Sequence, residues 1–110
     1  MKVAITSTGN SPDAHIDCRF GRCNYFVIYD TVSQSVEYIP NPNKENMEGA
    51  GPASVNLVAS KGVKKIISCE FGAKVKSLFD SLQIQMIVLH DPEKRIDEIL
   101  ALLHKNPNNS

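Results

Sequence analysis

The stretch VKKIISCEFGAKVKSLFDSLQIQMIVLH, residues 63–90, alternates between two hydrophobic patterns and thereby predicts the fold class. Its two ends, residues 63–69 and 85–90, are short apolar runs that are typical of buried strands. Between them, apolar residues recur at the i, i+3, i+4 and i+7 positions, which form one face of a helix ending near Ser81. These residues are Val75, Leu78, Phe79 and Leu82. The stretch therefore predicts two parallel strands joined by a helix.

Three further strands are predicted before this stretch. Residues 3–7 form a short β-branched run, and residues 25–30 and 35–39 flank a four-residue connection that suits an antiparallel hairpin. Pro40 and Pro42 have no amide proton to donate to a sheet, so we expect them to end the second strand of the hairpin.

Two further helices are predicted, one on each side of the central stretch. Residues 41–51 are polar and rich in helix-breaking residues, so we expect them to form an exposed and mobile loop. Pro52 then suits the first position of a helix that Gly62 ends in a left-handed conformation. After the last strand, Asp91 can cap and Pro92 can open a third helix. The apolar face of this third helix would contain Ile96, Ile99, Leu100 and Leu103.

The predicted order of elements is β, β, β, α, β, α, β, α, which indicates an α/β protein. We expect a single domain over residues 1–104 and a flexible tail at residues 105–110. The domain should contain three helices and one five-stranded mixed sheet whose second strand is antiparallel to the others. A chain of 110 residues is long enough to bury one continuous hydrophobic core.

The composition argues against several classes of function. Twelve basic and twelve acidic residues cancel, so no long-range field is expected to attract nucleic acid or an anionic membrane. No apolar run has the length of a signal peptide or a membrane span, and we therefore expect a cytoplasmic protein. Three cysteines, an odd number in a chain without secretory features, argue against a disulfide framework and predict reduced thiols.

Residues 18–23, CRFGRC, are the candidate site because they place two thiols, two guanidinium groups and a glycine in one turn. Arg19 and Arg22 carry a permanent positive charge and can hold an anionic ligand. If residues 3–7 and 63–69 are neighbouring central strands, three loops emerge along one edge of the sheet, where α/β sheets bind ligands. These loops are residues 8–24, 40–51 and 69–73.

Four residues are candidate metal ligands, namely Cys18, Cys23, Cys69 and His15. Cys69 ends a predicted strand on the same edge, so all three thiols could meet there. Thiolates suit iron–sulfur clusters, copper(I) and zinc. Plainer interpretations stay open: a thiol of the turn can be buried beneath Phe20, Cys69 can simply pack, and His15 can be a solvated loop residue.

The turn CRFGRCNYF, the later NPN and the GAG at residues 49–51 resemble the dinitrogenase iron-molybdenum cofactor family, with its NifX-type nitrogenase accessory domains. The resemblance covers nearly the whole chain and implies a ribonuclease H-like, three-layer fold. The matching positions are Phe20, Gly21, Arg22, Tyr25, Phe26, Gly49, Ala50, Gly51 and Gly72. Matching positions in the turn and at the glycines, together with the charged Arg19 of the turn, give the candidate cofactor-binding residues: Arg19, Phe20, Gly21, Arg22, Gly49, Ala50, Gly51 and Gly72.

The resemblance implies a non-catalytic protein that binds an iron–sulfur or iron–molybdenum cluster, or a precursor of one, during cluster biosynthesis or storage. A molybdenum–copper cluster is a variant of this prediction, and zinc is a lesser alternative. The implied partners are cluster donor and acceptor proteins, and the implied state is a monomer or a weak homodimer. Arg19 stands where many members have histidine, and Cys69 where relatives often have glycine. We therefore hypothesise that thiolates replace imidazole as ligands.

Two other classes of function stay open from the residues alone. A glycine-rich helix start attracts anions, so residues 49–51 could belong to a regulatory module that binds a small anion or nucleotide without metal. A nuclease on this fold would need several acidic residues on the sheet, and the predicted strands contain almost none. Thiol chemistry at Cys18 would need a base such as His15. We expect no catalysis.

Overall fold

The computed structural model describes residues 1–105, and most of the predicted tail of residues 105–110 lies outside them. The described chain contains five strands, three α-helices and one short 3-10 helix. The strands are β1 (Lys2–Ser7), β2 (Tyr25–Asp30), β3 (Val36–Pro40), β4 (Val63–Ser68) and β5 (Gln85–Val88). The helices are α1 (Ala50–Ser60), α2 (Ala73–Ser81) and α3 (Ile96–Lys105), and the 3-10 helix is Phe20–Arg22.

The five strands form one mixed sheet in the order β3-β2-β1-β4-β5. Strand β2 is antiparallel to both β1 and β3, while β4 runs parallel to β1 and to β5. The predicted single α/β domain, with its five-stranded mixed sheet, its antiparallel second strand and its three helices, is therefore confirmed. Because β1 and β4 are central neighbours, the loops that follow them emerge side by side.

The sheet separates two hydrophobic clusters, because successive residues of a strand face opposite sides. Ala4 of β1 belongs to the cluster that also contains Val55 of α1 and Phe79 of α2. Its neighbours Val3 and Ile5 belong to the second cluster, with residues of α3. Helices α1 and α2 therefore cover one face of the sheet, and α3 covers the other. Within residues 1–105, no helix has both the length and the apolar character needed to cross a membrane.

Helix α3 begins at Ile96, later than the start predicted at Asp91 and Pro92. The preceding backbone pairs with the loop after β1 instead: the carbonyl oxygen of Lys94 accepts from the Ile16 amide at 2.9 Å. The Ile96 amide in turn donates to the carbonyl oxygen of Ala14 at 2.8 Å. A segment that bonds to another chain segment in this way cannot also complete a helical turn, which delays the helix.

Helix α1 begins earlier than predicted, at Ala50 rather than Pro52. The residue before it, Gly49, has a φ of 73°, a left-handed conformation that favours glycine.

The expectation of an exposed loop over residues 41–51 is wrong at its two ends, because Asn41 and Ala50 are buried. Pro40 is the last residue of β3 rather than a residue beyond it, which an edge strand tolerates.

Candidate functional site

The candidate site is an open pocket of about 560 Å³, called the main pocket below, at which three loops meet. The loop after β1, the loop before α1 and the loop after β4 all contribute to its lining, so the predicted convergence of these loops is confirmed. The eight candidate cofactor-binding residues all line it: Arg19, Phe20, Gly21, Arg22, Gly49, Ala50, Gly51 and Gly72.

The floor of the main pocket is the contact between the 3-10 helix and the start of α1. A Cβ added at Gly21 would lie 2.9 Å from both the Cα atom and the amide nitrogen of Gly51. The carbonyl oxygen of Gly21 accepts hydrogen bonds from Asn41 Nδ2 and Ser54 Oγ, each at 3.2 Å. Glycine is therefore required at position 21 by the close approach of two backbones.

Phe20 anchors the same turn in the hydrophobic core. Its ring lies 5.3 Å from the ring of Phe79, 5.7 Å from that of Phe26 and 5.9 Å from that of Phe71, measured between centroids. The tilted and edge-on orientations are favourable for aromatic pairs. This cluster fixes the turn against the sheet and leaves its polar residues at the surface.

Two helix N-termini border the main pocket, those of α1 and α2. The first backbone amides of a helix have no partner within the helix, and neither N-terminus has a side-chain cap. Gly49 precedes α1 and Gly72 precedes α2, and Pro52, the third residue of α1, has no amide proton, so α1 offers fewer free amides than α2. The positive ends of two helix dipoles therefore lie beside the same pocket.

The charges at the main pocket are nearly balanced. Arg19, Arg22 and Lys74 line it together with Glu48 and Glu70. Attraction of an anion to this pocket therefore depends on local donors rather than on a large net charge.

Arg19 has a fixed partner, the buried carboxylate of Asp17. Its Nε and Nη2 atoms lie 3.1 and 3.0 Å from the two carboxylate oxygens of Asp17. These bonds raise the pKa of Arg19 above its ordinary value. Arg22 is exposed, and its Nη1 atom donates to the carbonyl oxygen of Lys44 at 3.0 Å. The two arginines of the turn therefore differ in their partners: Arg19 is paired with a carboxylate, and Arg22 donates to a carbonyl oxygen.

The expectation of three reduced thiols is wrong for this structure, because Cys18 and Cys69 form a disulfide. Their Cα atoms lie 4.6 Å apart although 51 positions separate them in the sequence. The prediction that Cys69 lies on the same edge as Cys18 is confirmed by this bond. The odd number of cysteines and the lack of secretory features did not predict this pair, because the tertiary structure brings the loop after β1 and the end of β4 within the distance that a disulfide requires.

Cys23 does not join the other two cysteines. It is completely buried in the cluster formed with α1 and α2, which also contains Phe20. Burial, and then the negative charge of Asp17, raise the pKa of Cys23 to about 12. Asn41 Nδ2 lies 3.9 Å from its sulfur. Cys23 is thus a protonated packing residue, and the point at which three thiols would meet is not formed.

His15 lies at a second open pocket of about 560 Å³, called the side pocket, which it lines with Thr8, Cys18 and Pro92 among others. Its side chain is exposed, and its backbone pairs with that of Arg95. In the described part of the chain, no three His, Cys, Asp or Glu side chains are grouped so that they could hold a metal ion. The structure therefore does not bring the four candidate metal ligands together.

Sequence reasoning missed three residues that build the main pocket. Asn41 and Ser54 are buried and hold Gly21, and Lys74 lines the pocket at the start of α2. A signal for Lys74 was present, since a lysine two residues after a glycine at a helix start lies near the amide groups of that start. Asn41 is the first residue of the NPN that belongs to the family resemblance, which was a signal for it, whereas no local pattern reveals the contact of Ser54 with Gly21.

A comparison with protein families matches residues 1–106 to the model described as dinitrogenase iron-molybdenum cofactor. The chain belongs to this family. The resemblance inferred from the FGR turn and the GAG at residues 49–51 is thereby confirmed, and family membership associates the domain with binding of a metal cluster.

The chain is also similar to individual proteins in sequence or in structure. An uncharacterised protein of Methanocaldococcus jannaschii is 32% identical over 105 residues, which cover 93% of this chain and 84% of that protein. The apo form of the orange protein from Desulfovibrio gigas has a TM-score of 0.83 at 23% identity, covering 96% of this chain and 88% of the other. A Thermotoga protein provisionally described as NifB has a TM-score of 0.79 at 28% identity, with 94% and 87% coverage. The fold is therefore shared with the two solved structures.

Proposed function

We propose that the protein is a non-catalytic carrier that holds an iron–sulfur or iron–molybdenum type cluster, or a precursor of one, during cluster biosynthesis or storage. The observation that carries this proposal is the convergence of the eight candidate cofactor-binding residues on the main pocket. The cluster is the cargo of the protein, and a molybdenum–copper cluster is an alternative cargo of the same chemical kind. Zinc remains a lesser alternative.

The residues of the main pocket suit an anionic cargo that is held mainly by hydrogen-bond donors. The uncapped amides of α1 and α2 can donate to sulfide or oxide groups, and Arg22 can add a charged hydrogen bond. Arg19 can approach the cargo from the opposite end of the turn while it remains paired with Asp17. Direct ligation by Cys18, Cys23, Cys69 or His15 stays a prediction, and Cys23 is the least suited because its thiol is buried and protonated.

Several further properties are proposed together with this function. The fold is proposed to be ribonuclease H-like, which the sheet order β3-β2-β1-β4-β5 supports. The single domain is proposed to comprise residues 1–104. The partners are proposed to be cluster donor and acceptor proteins, with the carrier acting in the cytoplasm as a monomer or weak homodimer and without nucleic acid or membrane binding.

The decisive experiment measures metal and acid-labile sulfide after the protein is purified without air. We expect bound iron and sulfide, with or without molybdenum or copper, and a corresponding visible absorption. Arg22→Gln should lower the bound amount, because it removes a charged donor at the main pocket. Lys76→Gln is the matched control, because it removes one charge from an exposed residue of α2 that does not line the pocket. A natively folded protein that contains neither metal nor acid-labile sulfide after purification without air would contradict the proposal.

A second candidate function is a regulatory module that binds a small anion or a nucleotide without metal. The two uncapped helix N-termini at one pocket favour it, because phosphate groups use the same donors as sulfide-rich clusters. A thermal-shift titration with inorganic phosphate and nucleotides tests it. Stabilisation that is unchanged by chelators, in a protein that takes up no metal, would favour this second function over the first.

A further inference from the structure

We propose that Cys18 and Cys69 form a reversible dithiol–disulfide pair that controls cargo loading. In the disulfide form the pair offers no ligand, and in the dithiol form both sulfurs can bind a soft metal ion or a cluster. The inference rests on the proposed carrier function and adds its regulation. It is supported by the position of the pair, by its accessibility and by the hydrogen bonds around it.

The position of the pair connects the two pockets. The disulfide joins the loop after β1 to the residue that directly follows β4. Cys18 lines both the main pocket and the side pocket, as does its neighbour Arg19. Opening or closing this bond therefore changes the chemistry of the wall that the two pockets share.

The two sulfurs differ in accessibility. Cys18 is half-buried and borders open pockets, whereas Cys69 is only 6% exposed and packs in the cluster beneath α3. A thiol-containing reductant can therefore reach the sulfur of Cys18 before that of Cys69. This asymmetry determines which sulfur is attacked and which one leaves.

The reductant in this step is a dithiol, either a small molecule or a protein with two neighbouring thiols. Its first thiolate attacks Cys18 Sγ and forms a mixed disulfide, while the bond to Cys69 breaks and its electron pair stays on Cys69 Sγ, which takes up a proton. The second thiolate of the reductant then displaces Cys18. The protein gains two electrons and two protons, and the reductant becomes a cyclic disulfide.

Hydrogen bonds hold the two cysteines near each other independently of the disulfide. Thr6 Oγ1 donates to the carbonyl oxygen of Asp17 at 2.6 Å and lies 3.0 Å from Ser68 Oγ. The Asp17 amide donates to the carbonyl oxygen of Thr6 at 3.0 Å. Asp17 and Ser68 directly precede Cys18 and Cys69, so these bonds hold the residue before each cysteine in place after reduction. Reduction is therefore expected to produce a preorganised pair of thiols in a folded protein.

The experiment compares oxidised and reduced protein for the wild type, for Cys23→Ser and for the double variant Cys18→Ser with Cys69→Ser. Cys23→Ser is the matched control because it retains the pair, and Cys23→Ala serves in its place if the serine variant does not fold. Thiols are counted by alkylation in denaturant. We expect one thiol in the oxidised wild type and three after reduction, with native circular dichroism in both forms.

Two binding probes then separate the thiol pair from the cargo. Phenylarsine oxide, which bridges two close thiols, should bind the reduced wild type and Cys23→Ser, and should bind neither the oxidised protein nor the double variant. Reconstitution with ferrous iron and sulfide should load the reduced wild type roughly tenfold or more above the oxidised form, because loss of even an outer-shell partner of a metal ligand typically costs roughly 10- to 100-fold in affinity. The double variant should take up little iron and sulfide under both oxidising and reducing conditions.

The outcomes distinguish failure of this inference from failure of the carrier proposal. Equal iron and sulfide loading of the oxidised and reduced forms would overturn the redox control and leave the carrier proposal intact. Absence of loading in both forms would overturn the carrier proposal and the control of loading with it. Failure of the disulfide to form reversibly, unfolding on reduction, or lack of arsenical binding by reduced protein would each overturn the thiol pair itself.

Discussion

The six residues CRFGRC divide into two halves with opposite environments. The rim half consists of Cys18, Arg19 and Arg22, which lie at the surface and border the main pocket. The anchor half consists of Phe20, Gly21 and Cys23, which contact the aromatic core, the backbone of α1 and the buried cluster. Two cysteines five positions apart therefore have different chemistry: Cys18 is paired and accessible, and Cys23 is protonated and inaccessible.

Because its two halves have different environments, the turn combines a binding surface with its own structural support. The anchor half places the turn, and the rim half is then free to carry charge and sulfur chemistry. Substitutions in the anchor half should therefore lower stability, whereas those in the rim half should change binding, except where they break the disulfide. The predictions that follow test this division.

The largest expected loss of stability comes from breaking the disulfide that Cys18 of the rim half forms with Cys69. Breaking it by reduction, or by Cys18→Ser with Cys69→Ser, should lower the free energy of unfolding by about 4 kcal/mol, because the bond closes a long loop in the unfolded chain. Urea unfolding of oxidised and reduced protein measures this change. Cys23→Ala should retain the same redox difference, and identical midpoints for oxidised and reduced wild type would contradict the prediction.

The next prediction is a loss of stability when the close backbone contact between Gly21 and Gly51 is disturbed. Gly21→Ala should cost about 1–3 kcal/mol, because its new Cβ would lie 2.9 Å from backbone atoms of Gly51 and one helix start would have to shift. Thermal or urea unfolding gives the value. Gly9→Ala is the control, since its Cβ would make only an ordinary contact, at 3.4 Å, with Ala14. An equal effect of the two substitutions would refute the close-approach explanation.

A further effect, confined to alkaline pH, should appear as a pH dependence of stability caused by Cys23. Its pKa is raised from 9.0 to about 12 in the folded protein, so the unfolded chain loses this proton at lower pH than the native state. The contribution to stability is full below about pH 9 and falls by about 1.4 kcal/mol per pH unit toward pH 12.

The measurement is the difference in free energy of unfolding between the wild type and Cys23→Ala as a function of pH. Other groups titrate in both proteins and largely cancel in this difference. A difference that stays constant from pH 8 to pH 11 would show that the thiol of Cys23 is not held in its protonated form.

The smallest effect on stability is expected for Arg22→Gln in the rim half. Arg22 is exposed, and within residues 1–105 its side chain makes a single hydrogen bond, to the carbonyl oxygen of Lys44, so the free energy of unfolding should change by no more than about 0.5 kcal/mol. Calorimetry or urea unfolding checks this. A loss comparable to that of Gly21→Ala would place Arg22 with the anchor half and remove the distinction between the two halves.

Much of the fold could be predicted because its determinants are local. The alternation of strand and helix periods over residues 63–90 led to the correct order of elements, and the loops bordering the main pocket follow from that order. The start of α3 was predicted too early because Asp91 and Pro92 have the local features of a helix start. The pairing of Lys94 with Ile16, which overrides those features, joins segments far apart in the chain.

The sequence by itself determined the element order, the family likeness and the position of the FGR turn beside a glycine-rich helix start, since these depend on periodicity and on neighbouring residues. Only the tertiary structure decided that Cys18 meets Cys69, that Cys23 is buried with its proton, and that Asn41 and Ser54 hold Gly21. The physical reason is distance: these properties arise from atoms a few ångströms apart in space that belong to residues many positions apart along the chain.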